Sequence, residues 1–389
     1  MKILFVLNSI YANGNGLSAS ARRTVKYLKE TGHDVRVLSG PNMESDLPQP
    51  DFPLKHFTFP LFEPIIVAEG YSFASGDPQR IEEAVKWADV VHLEEAFVLQ
   101  LKTIRLCKKL GVPLTITYHL HPENIFYALG MGSWTWANEA MLHFWRDKVY
   151  NHCIAIQCPT ENVRKRLEKE QFAARLEVIS NGVIPDKCIR PETPPADYED
   201  PDRPLKVVYI GRLAAEKDHY TLFEAMKYST FARRIQLICA GQGPQAKVFK
   251  KKARKLYEDG VLRYEPIFRF CNRDDLRTLA AEADLCVHCA VVEVEGLSIM
   301  EAMQQAVVPV IAEGPITGTS QFALDERSIF PQKDAKVLAE RIDYWLSHPK
   351  ERWEMGRRYA ASMEQYDIRE SSRKLLNMFQ YAIDKQKEQ

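Results

Sequence analysis

The chain has 389 residues, which is more than one ordinary hydrophobic core holds, so two domains are expected. Hydrophobic residues make up 46% of it and charged residues 27%, as in a typical globular protein. Lys plus Arg and Asp plus Glu both number 52, and this zero net charge argues against a general nucleic-acid-binding protein.

The amino-terminal stretch MKILFVLNSI is apolar for only a few residues after its lysine. It lacks the longer apolar region and the small-residue cleavage site of a signal peptide. No apolar stretch approaches the roughly 18–20 residues that cross a bilayer. We therefore expect a cytoplasmic protein, which could still contact the inner face of a membrane at its surface.

The first half of the chain alternates short apolar segments with helical patterns. The strand candidates are KILFVLN, DVRVLSG, DVVHLE, LTITYHL, AIQCPT and LEVISNG. Their richness in Val, Ile and Leu is typical of a sheet covered on both faces. The clearest helix is predicted over residues 18–31, where apolar residues recur on one side and Gly32 follows.

Residues 185–204 are rich in proline and acidic residues, which predicts a linker without regular structure. The strand pattern then resumes with LKVVYIGR, IQLICAG, VLRYEP, ADLCVHC, VVPVIAE and SIFP, and a charged helix over roughly 366–387 closes the chain. We predict an α/β protein with two doubly wound, Rossmann-like domains, residues 1–184 and 205–365, facing a central cleft. Ligands of such sheets bind beyond the carboxyl ends of the strands, so the residues after the strands are the site candidates.

Two pairs of candidates follow strands of the first half. Gly14 and Gly16 in NGNGLSAS allow the backbone to approach an anion, or they form only a tight strand-to-helix turn. His119 and His121 in YHLHPEN alternate and could face one side, but a third metal ligand is not evident. We favour His119 as a hydrogen-bonding group pointing into the cleft, and a structural histidine at a strand end is the alternative.

Cations and glycines follow the first two strands of the second half. Arg212 and Lys217 in IGRLAAEKD stand where a helix is predicted to begin, and two cations beside helix-start amides suit a diphosphate. A solvated turn with ordinary surface charges is the alternative. Gly241 and Gly243 in AGQGPQ permit close packing over a ligand, although alone they are only a turn signal.

The stretch EVEGLSIMEAM follows the strand ADLCVHCA and predicts a helix starting near Gly296. The N–H groups of Gly296, Leu297 and Ser298 would lack partners inside that helix and could bind a phosphate. Glu293 before the helix and Glu301 one turn into it could accept hydrogen bonds from flanking hydroxyls.

A purely structural interpretation of these acids is also open. Acidic residues favour a helix N-terminus, and this explains Glu295 as well as it explains Glu293.

The eight cysteines lie mostly in apolar stretches, which predicts reduced, buried thiols. Cys286 and Cys289 form a CxxC with His288 between them. A zinc site would need a second ligand pair of matching spacing, so we expect core residues of a strand and no metal site.

The motifs of the second half, taken together, resemble those of glycosyltransferase family 4, which comprises retaining enzymes of the GT-B fold. GRLAAEK matches the family's Gly-Arg-Leu…Lys motif through Gly211, Arg212 and Lys217, and Glu293 and Glu301 match its two glutamates separated by seven residues. VISNGV, YHLH and CPTENVRKRL resemble family segments of the first domain. The likeness runs through most of the chain.

The resemblance implies a role for each matched residue. Arg212 and Lys217 would bind the donor diphosphate and stabilise it as it leaves, Glu293 would contact the transferred sugar, and Glu301 would bind the ribose. Further donor contacts are implied for Gly16, His119, Gly211, Gly241, Gly243, Gly296, Leu297 and Ser298. The first domain would bind the acceptor, the second the nucleotide sugar, and the helix over roughly 366–389 would pack back on the first domain.

The expected reaction is hexosyl transfer with retention through a same-face displacement. With Arg212 and Lys217 on the diphosphate and no Asp-x-Asp nearby, neither a metal nor another cofactor is expected. A UDP-sugar is the favoured donor and GDP-mannose an alternative, while the acceptor would be a glycan, a lipid, a glycolipid or a small molecule. The segment AEGPITGTSQF departs from the family's Gly-Gly-x-Pro-Glu, so the family's sugar specificity does not carry over.

Two surfaces could touch a membrane. Residues 126–145 contain three tryptophans that could seat on a lipid, stack on a sugar or form core. The first helix carries Arg22, Arg23, Lys26 and Lys29, either as a solvated face or as a contact for anionic lipid.

Two other functions are weighed against the transferase. An inactive glycosyltransferase-like subunit that stabilises a partner would not need the intact acids and cations of the motifs. A dinucleotide-dependent oxidoreductase would need a third glycine in NGNGLSAS.

Overall fold

Two parallel sheets organise the chain in the computed structural model, which describes residues 1–11, 16–42, 48–61, 63–68 and 70–388. One unit comprises Met1–Ile184 with Tyr366–Gln389, and the other comprises Pro185–Gln365. The prediction of two doubly wound α/β units is confirmed.

The strands of the first unit are β1 (Lys2–Val6), β2 (Asp34–Ser39), β3 (Phe52–Pro53), β4 (His56–Phe57), β5 (Phe73–Ala74), β6 (Val90–Leu93), β7 (Leu114–Thr117), β8 (Ala155–Cys158) and β9 (Arg175–Val178). Those of the second are β10 (Leu205–Ile210), β11 (Ile235–Ala240), β12 (Ile267–Arg269), β13 (Leu285–His288), β14 (Val308–Glu313) and β15 (Ile329–Pro331).

The helices up to residue 169 are α1 (Gly16–Glu30), α2 (Glu63–Ala68), α3 (Pro78–Trp87), α4 (Val98–Leu110), α5 (Pro122–Ala128), α6 (Thr135–Lys148) and α7 (Glu161–Lys169). The later ones are α8 (His219–Ala225), α9 (Ala246–Glu258), α10 (Arg273–Glu282), α11 (Leu297–Met303), α12 (Ala335–Ser347), α13 (Pro349–Ser362) and α14 (Ile368–Lys387).

The first unit is built on a seven-stranded sheet of order β3-β2-β1-β6-β7-β8-β9 with parallel pairing. All residues of β6, β7 and β8 are buried, which shows that both faces of the sheet are covered. The terminal helix α14 belongs to this unit, since Leu375, Met378 and Phe379 share a core cluster with β1 and α1.

The second unit is built on a six-stranded parallel sheet of order β12-β11-β10-β13-β14-β15. In both sheets the first strand lies between the next strand of the chain and a later one, β1 between β2 and β6 and β10 between β11 and β13. The order of the strands reverses there, and open α/β sheets bind ligands at the carboxyl ends of strands beside such a reversal.

Two local predictions need adjustment. The segment VLRYEP is not a strand, and β12 begins directly after Pro266, because proline has no N–H to donate to the sheet. Residues 185–204, predicted as a linker, are grouped with the second unit. Arg190 is buried there and donates to the carbonyl oxygens of Ala281 at 2.8 Å and Ala306 at 2.6 Å.

Candidate active site

The loop after β10 carries both predicted cations and packs against the loop after β11. Gly211 N donates to Ala240 O at 3.0 Å, and Leu213 N donates to Gln242 O at 2.9 Å. A Cβ atom at Gly241 would collide with the carbonyl oxygen of Gly211, and one at Gly243 would lie 2.5 Å from Leu213 O. Backbone packing is thus sufficient to explain Gly241 and Gly243, and their contact with a donor stays a prediction.

Lys217 and Glu293 form an ion pair, although 76 residues separate them in the chain. Lys217 Nζ donates to Glu293 Oε2, and the two side chains are only 14% and 15% exposed. The Lys217 backbone is held in turn by Tyr209, whose hydroxyl donates to Lys217 O at 2.8 Å. The structure therefore brings together a cation and an acid that the sequence assigned to one site.

The backbone of Glu293 is anchored to the loop after β14. Glu293 N donates to Ile316 O at 3.0 Å, and Gly318 N donates to Glu293 O at 2.8 Å. This loop is the segment that departs from the family pattern. Burial alone would raise the pKa of Glu293, but Lys217 and His288 together hold that pKa well below its ordinary value, so the group is a carboxylate.

Arg212 is paired with an acid of its own loop. Arg212 Nη2 donates to Glu216, which is almost fully buried while the arginine side chain is 28% exposed. Val291 N donates to Glu216 O at 2.9 Å and so ties this loop to the segment after β13. Both predicted cations therefore have a carboxylate partner.

Helix α11 begins beside these groups. Gly296 has φ of +86°, and a Cβ atom there would collide with Thr319, so glycine is required. Met300 N makes the first helical hydrogen bond to Gly296 O, which leaves the amides of Leu297 and Ser298 without an acceptor inside the helix. The Ser298 hydroxyl donates to Ile210 O at 3.0 Å and links α11 to the end of β10. Glu301 lies half-buried in α11, on the same short helix.

The first unit holds the other two predicted residues. His119 Nε2 lies 2.5 Å from Glu94 Oε2, with both side chains almost fully buried. Its neighbour His121 contacts Tyr118 Oη and Arg166 instead, so the two histidines do not act as a pair. Gly16 is the first residue of α1 and is exposed, whereas Gly14 lies outside the described residues. The donor roles of His119 and Gly16 stay predictions.

Three residues of these clusters are not site candidates in the sequence analysis, namely Glu94, Glu216 and His288. Glu216 stands inside the recognised GRLAAEK motif, so an acid four residues after Arg212 was an available signal. Glu94 and His288 stand in no recognised motif, although Glu94 contacts His119 and His288 lies near Glu293.

The CxxC pair is core, as predicted. Cys286 and Cys289 are buried, and burial raises the pKa of the Cys286 thiol to about 12, so it stays protonated and unreactive. Within the described ranges, no three His, Cys, Asp or Glu side chains are grouped closely enough to hold a metal ion.

The tryptophan-rich segment divides between core and surface. Trp145 is 3% exposed, whereas Trp134 and Trp136 are 47% and 68% exposed and stack on each other with centroids 6.0 Å apart. In the part of the chain that the structure describes, every helix is too short or too polar to cross a membrane.

Comparison with known families finds two models that together match most of the chain. The model described as Glycosyltransferase Family 4 matches residues 14–187, and the one described as Glycosyl transferases group 1 matches residues 192–361.

Similar proteins and structures agree with these matches. The alpha-monoglucosyldiacylglycerol synthase of Streptococcus pneumoniae is 22% identical over 325 residues, covering 81% of this chain and 71% of that protein. The GDP-mannose-dependent alpha-mannosyltransferase of Corynebacterium glutamicum is 27% identical over 343 residues, covering 81% and 74%. The sucrose-phosphate synthase structure from Thermosynechococcus elongatus has a TM-score of 0.71 at 15% identity, covers 98% of each chain and shows the shared fold.

Proposed function

Because the chain belongs to glycosyltransferase family 4 and has the GT-B fold, we propose that it is a retaining, metal-independent hexosyltransferase that uses a nucleotide-diphosphate sugar. The observation that carries this proposal is the Lys217–Glu293 pair beside the first turn of α11. It joins a cation for phosphate and an acid for sugar hydroxyls within one unit.

The charges suit a diphosphate leaving group. An ammonium has three N–H donors, so Lys217 can hold Glu293 and still donate to phosphate oxygens. Arg212 adds a planar guanidinium, and the amides of Leu297 and Ser298 lie at the positive end of a helix. Donors placed in advance for a developing charge stabilise the transition state more than the substrate.

The proposed step balances without another reactant. The bond between C1 of the sugar and the diphosphate oxygen breaks, and its electron pair stays on that oxygen. The acceptor oxygen bonds to C1 on the same face, and its proton goes to the departing phosphate. The products are a nucleoside diphosphate and a glycoside of unchanged configuration. Lys217 and Arg212 neutralise the charge that a divalent cation would otherwise neutralise.

The donor and acceptor classes are proposed from the relatives and the surface. A UDP-sugar is preferred, and GDP-mannose is the alternative, which the name of the mannosyltransferase relative supports. The name of the streptococcal relative points to a glycolipid product, hence to a diacylglycerol-type acceptor for this chain. Exposed Trp134 and Trp136 suit a lipid surface, since amphipathic aromatic rings are favoured at the membrane interface.

The basic face of α1 is a weaker candidate for that contact. Arg22 donates to Ile10 O at 2.5 Å, and Lys29 lies 3.6 Å from Asp51, so part of its charge is engaged within the unit.

A donor panel tests the proposal. Melting of the purified chain is followed with UDP-glucose, UDP-galactose, UDP-N-acetylglucosamine and GDP-mannose, with and without EDTA. The true donor should raise the melting temperature by several degrees, since saturation at about 100 Kd adds roughly 2.7 kcal/mol of stability. Product from a diacylglycerol acceptor is then assigned by the NMR coupling of its anomeric proton.

Three results would contradict parts of the proposal. A product with inverted anomeric configuration would refute retention. A strict requirement for a divalent metal would refute metal independence. A chain that binds donors but neither transfers nor hydrolyses them would instead be an inactive subunit.

A further inference from the structure

Two buried histidine rings pack beside Tyr209 of β10. His219 lies with its ring centroid 3.9 Å from that of Tyr209, and His288 lies at 6.1 Å with nearly parallel planes. Both side chains are essentially inaccessible to solvent. A buried imidazole without hydrogen bonds is costly, so the partners of each ring indicate what it does.

The two rings differ in what they reach. His288 Nε2 lies 3.3 Å from Glu293 Oε2, within ion-pair distance, but this contact does not meet hydrogen-bond geometry, and Nε2 has no other hydrogen-bond partner among the described residues. His219 has no hydrogen-bond partner on either ring nitrogen within the same part of the chain, and it stacks on Phe249. Only one of the two imidazoles therefore faces an acid of the candidate site.

Lys217 and His288 contact the same oxygen of Glu293. Both approach Oε2, so the two contacts converge on one oxygen of the carboxylate. A lysine ammonium on a flexible stem can follow a carboxylate as it turns. His288 cannot follow it, because its ring is held at the end of β13 against Tyr209.

We propose that His288 is a positioning residue of the donor site, which together with Lys217 fixes Oε2 of Glu293 and thereby presents Oε1 to a hydroxyl of the transferred sugar. This rests on the proposed function for the identity of the ligand. The contact itself rests on the geometry of β13 and of the loop after it. Without His288, the carboxylate can rotate, and its two oxygens become equivalent toward Lys217.

Three substitutions at His288 test the role. His288→Phe keeps a ring but loses the nitrogen that lies 3.3 Å from Glu293, so kcat for sugar transfer should fall about 10-fold, the lower end of what a polar contact with a charged group contributes. KM for the donor should stay within twofold, because the diphosphate contacts remain. His288→Gln places an N–H near the position of Nε2 and should restore most of the rate, whereas His288→Asn is too short to do so.

His219→Phe is the matched control. It replaces a buried histidine that also packs on Tyr209, but one without a contact to Glu293, so kcat should be unchanged. Melting temperatures of all four variants separate loss of rate from loss of fold. Wild-type kcat in His288→Phe, or equal rates for the Gln and Asn variants, would overturn the proposal.

A spectroscopic arm needs no donor. Ring ¹⁵N resonances of His288 and His219 are assigned by their loss in the two Phe variants. Glu293→Gln should then shift the His288 signals and leave those of His219 in place. Unmoved His288 signals would remove the contact and the proposal with it. A chain that transfers no sugar would defeat the proposed function while this arm still decides the contact.

Discussion

The strand beside the first strand of each sheet carries a buried histidine, His92 on β6 and His288 on β13, and the two have different partners. His92 lies 2.9 Å from Thr115 Oγ1 and 2.8 Å from Thr117 Oγ1, so hydroxyls of the neighbouring strand β7 occupy both ring nitrogens. His288 lies 3.3 Å from the Glu293 carboxylate. Corresponding strands of two similar sheets thus hold one histidine with a hydroxyl at each ring nitrogen, although it also lies 3.7 Å from Glu94, and one whose Nε2 lies near an acid of the candidate site without a hydrogen bond.

The hydrogen-bond partners of a buried imidazole separate a structural histidine from one that belongs to a site. Burial lowers the pKa of His92 to about 4, so the ring is neutral and its two threonine partners stabilise the sheet. Because both ring nitrogens of His92 already have hydroxyl partners, this side chain is not available to a ligand. His288 Nε2 has no hydrogen bond among the described residues and lies 3.3 Å from Glu293, an acid that is itself 15% exposed.

The strongest test of the second unit is Lys217→Ala. We expect the turnover number to fall about 100-fold to 1,000-fold, the range seen when one donor to a developing charge is removed. The melting temperature should change much less, because Glu293 keeps its contact with His288. Steady-state kinetics and thermal unfolding measure the two effects. Lys227→Ala is the matched control, since Lys227 pairs with Glu224 on the exposed surface of the same unit. Equal activity of both variants would contradict the site.

The pH dependence of stability tests the neutral histidines. The unfolded chain binds a proton on His92 below about pH 6.5, whereas the folded chain does so only near pH 4. The contribution of the neutral His92 ring to the free energy of unfolding is therefore fully present above pH 6.5. It decreases as the pH falls toward 4, by up to about 3 kcal/mol in total. Hydrogen exchange of β6 and β7 amides measures this locally. His92→Gln should flatten the dependence, and an unchanged slope would argue against a neutral His92.

His92→Phe should destabilise the first unit by about 2 kcal/mol at pH 7.5, because the Thr115 hydroxyl loses its partner in a buried place. His219→Phe in the second unit should change stability by less than about 0.5 kcal/mol, since that ring donates no hydrogen bond there. Denaturant unfolding of both variants decides the contrast. Similar losses would show that hydrogen bonding does not distinguish the two rings.

The smallest effect is expected at the surface of the first unit. Replacing Trp134 and Trp136 by Ser should lower transfer to diacylglycerol in anionic vesicles several-fold, since each exposed ring contributes little area. Hydrolysis of the donor in solution should not change. Phe270→Ser is the control, an aromatic residue 65% exposed in the second unit. Flotation of vesicles with both variants measures binding, and equal flotation would leave the aromatic pair without a membrane role.

Much of the fold was predictable, because strand and helix patterns are local. The apolar segments predicted as strands in both halves are strands of the two sheets, with one exception. The strand predicted at VLRYEP is observed directly after it, as β12, because Pro266 cannot donate a hydrogen bond to the sheet. Arg212, Lys217, Glu293 and Glu301 were predicted as site residues from motifs within their own segments, and their roles toward a donor stay predictions. The sequence did not show whether the three tryptophans are buried or exposed, since periodicity does not say whether a helix face packs on the core or faces solvent.

The two α/β halves, a helix starting near Gly296 and the residue types that suit a diphosphate and a sugar were all legible in the sequence. The folded chain was needed to show which acid each cation contacts, that Gly241 and Gly243 leave space for a neighbouring loop, and that His288 lies beside Glu293. Lys217 with Glu293, and the loop after β11 with the loop after β10, are contacts between distant parts of the chain that the order of strands in the sheet brings together. Arg212 with Glu216 and His288 with Glu293 are close in the chain, but a sequence pattern does not say which way a side chain turns in a loop.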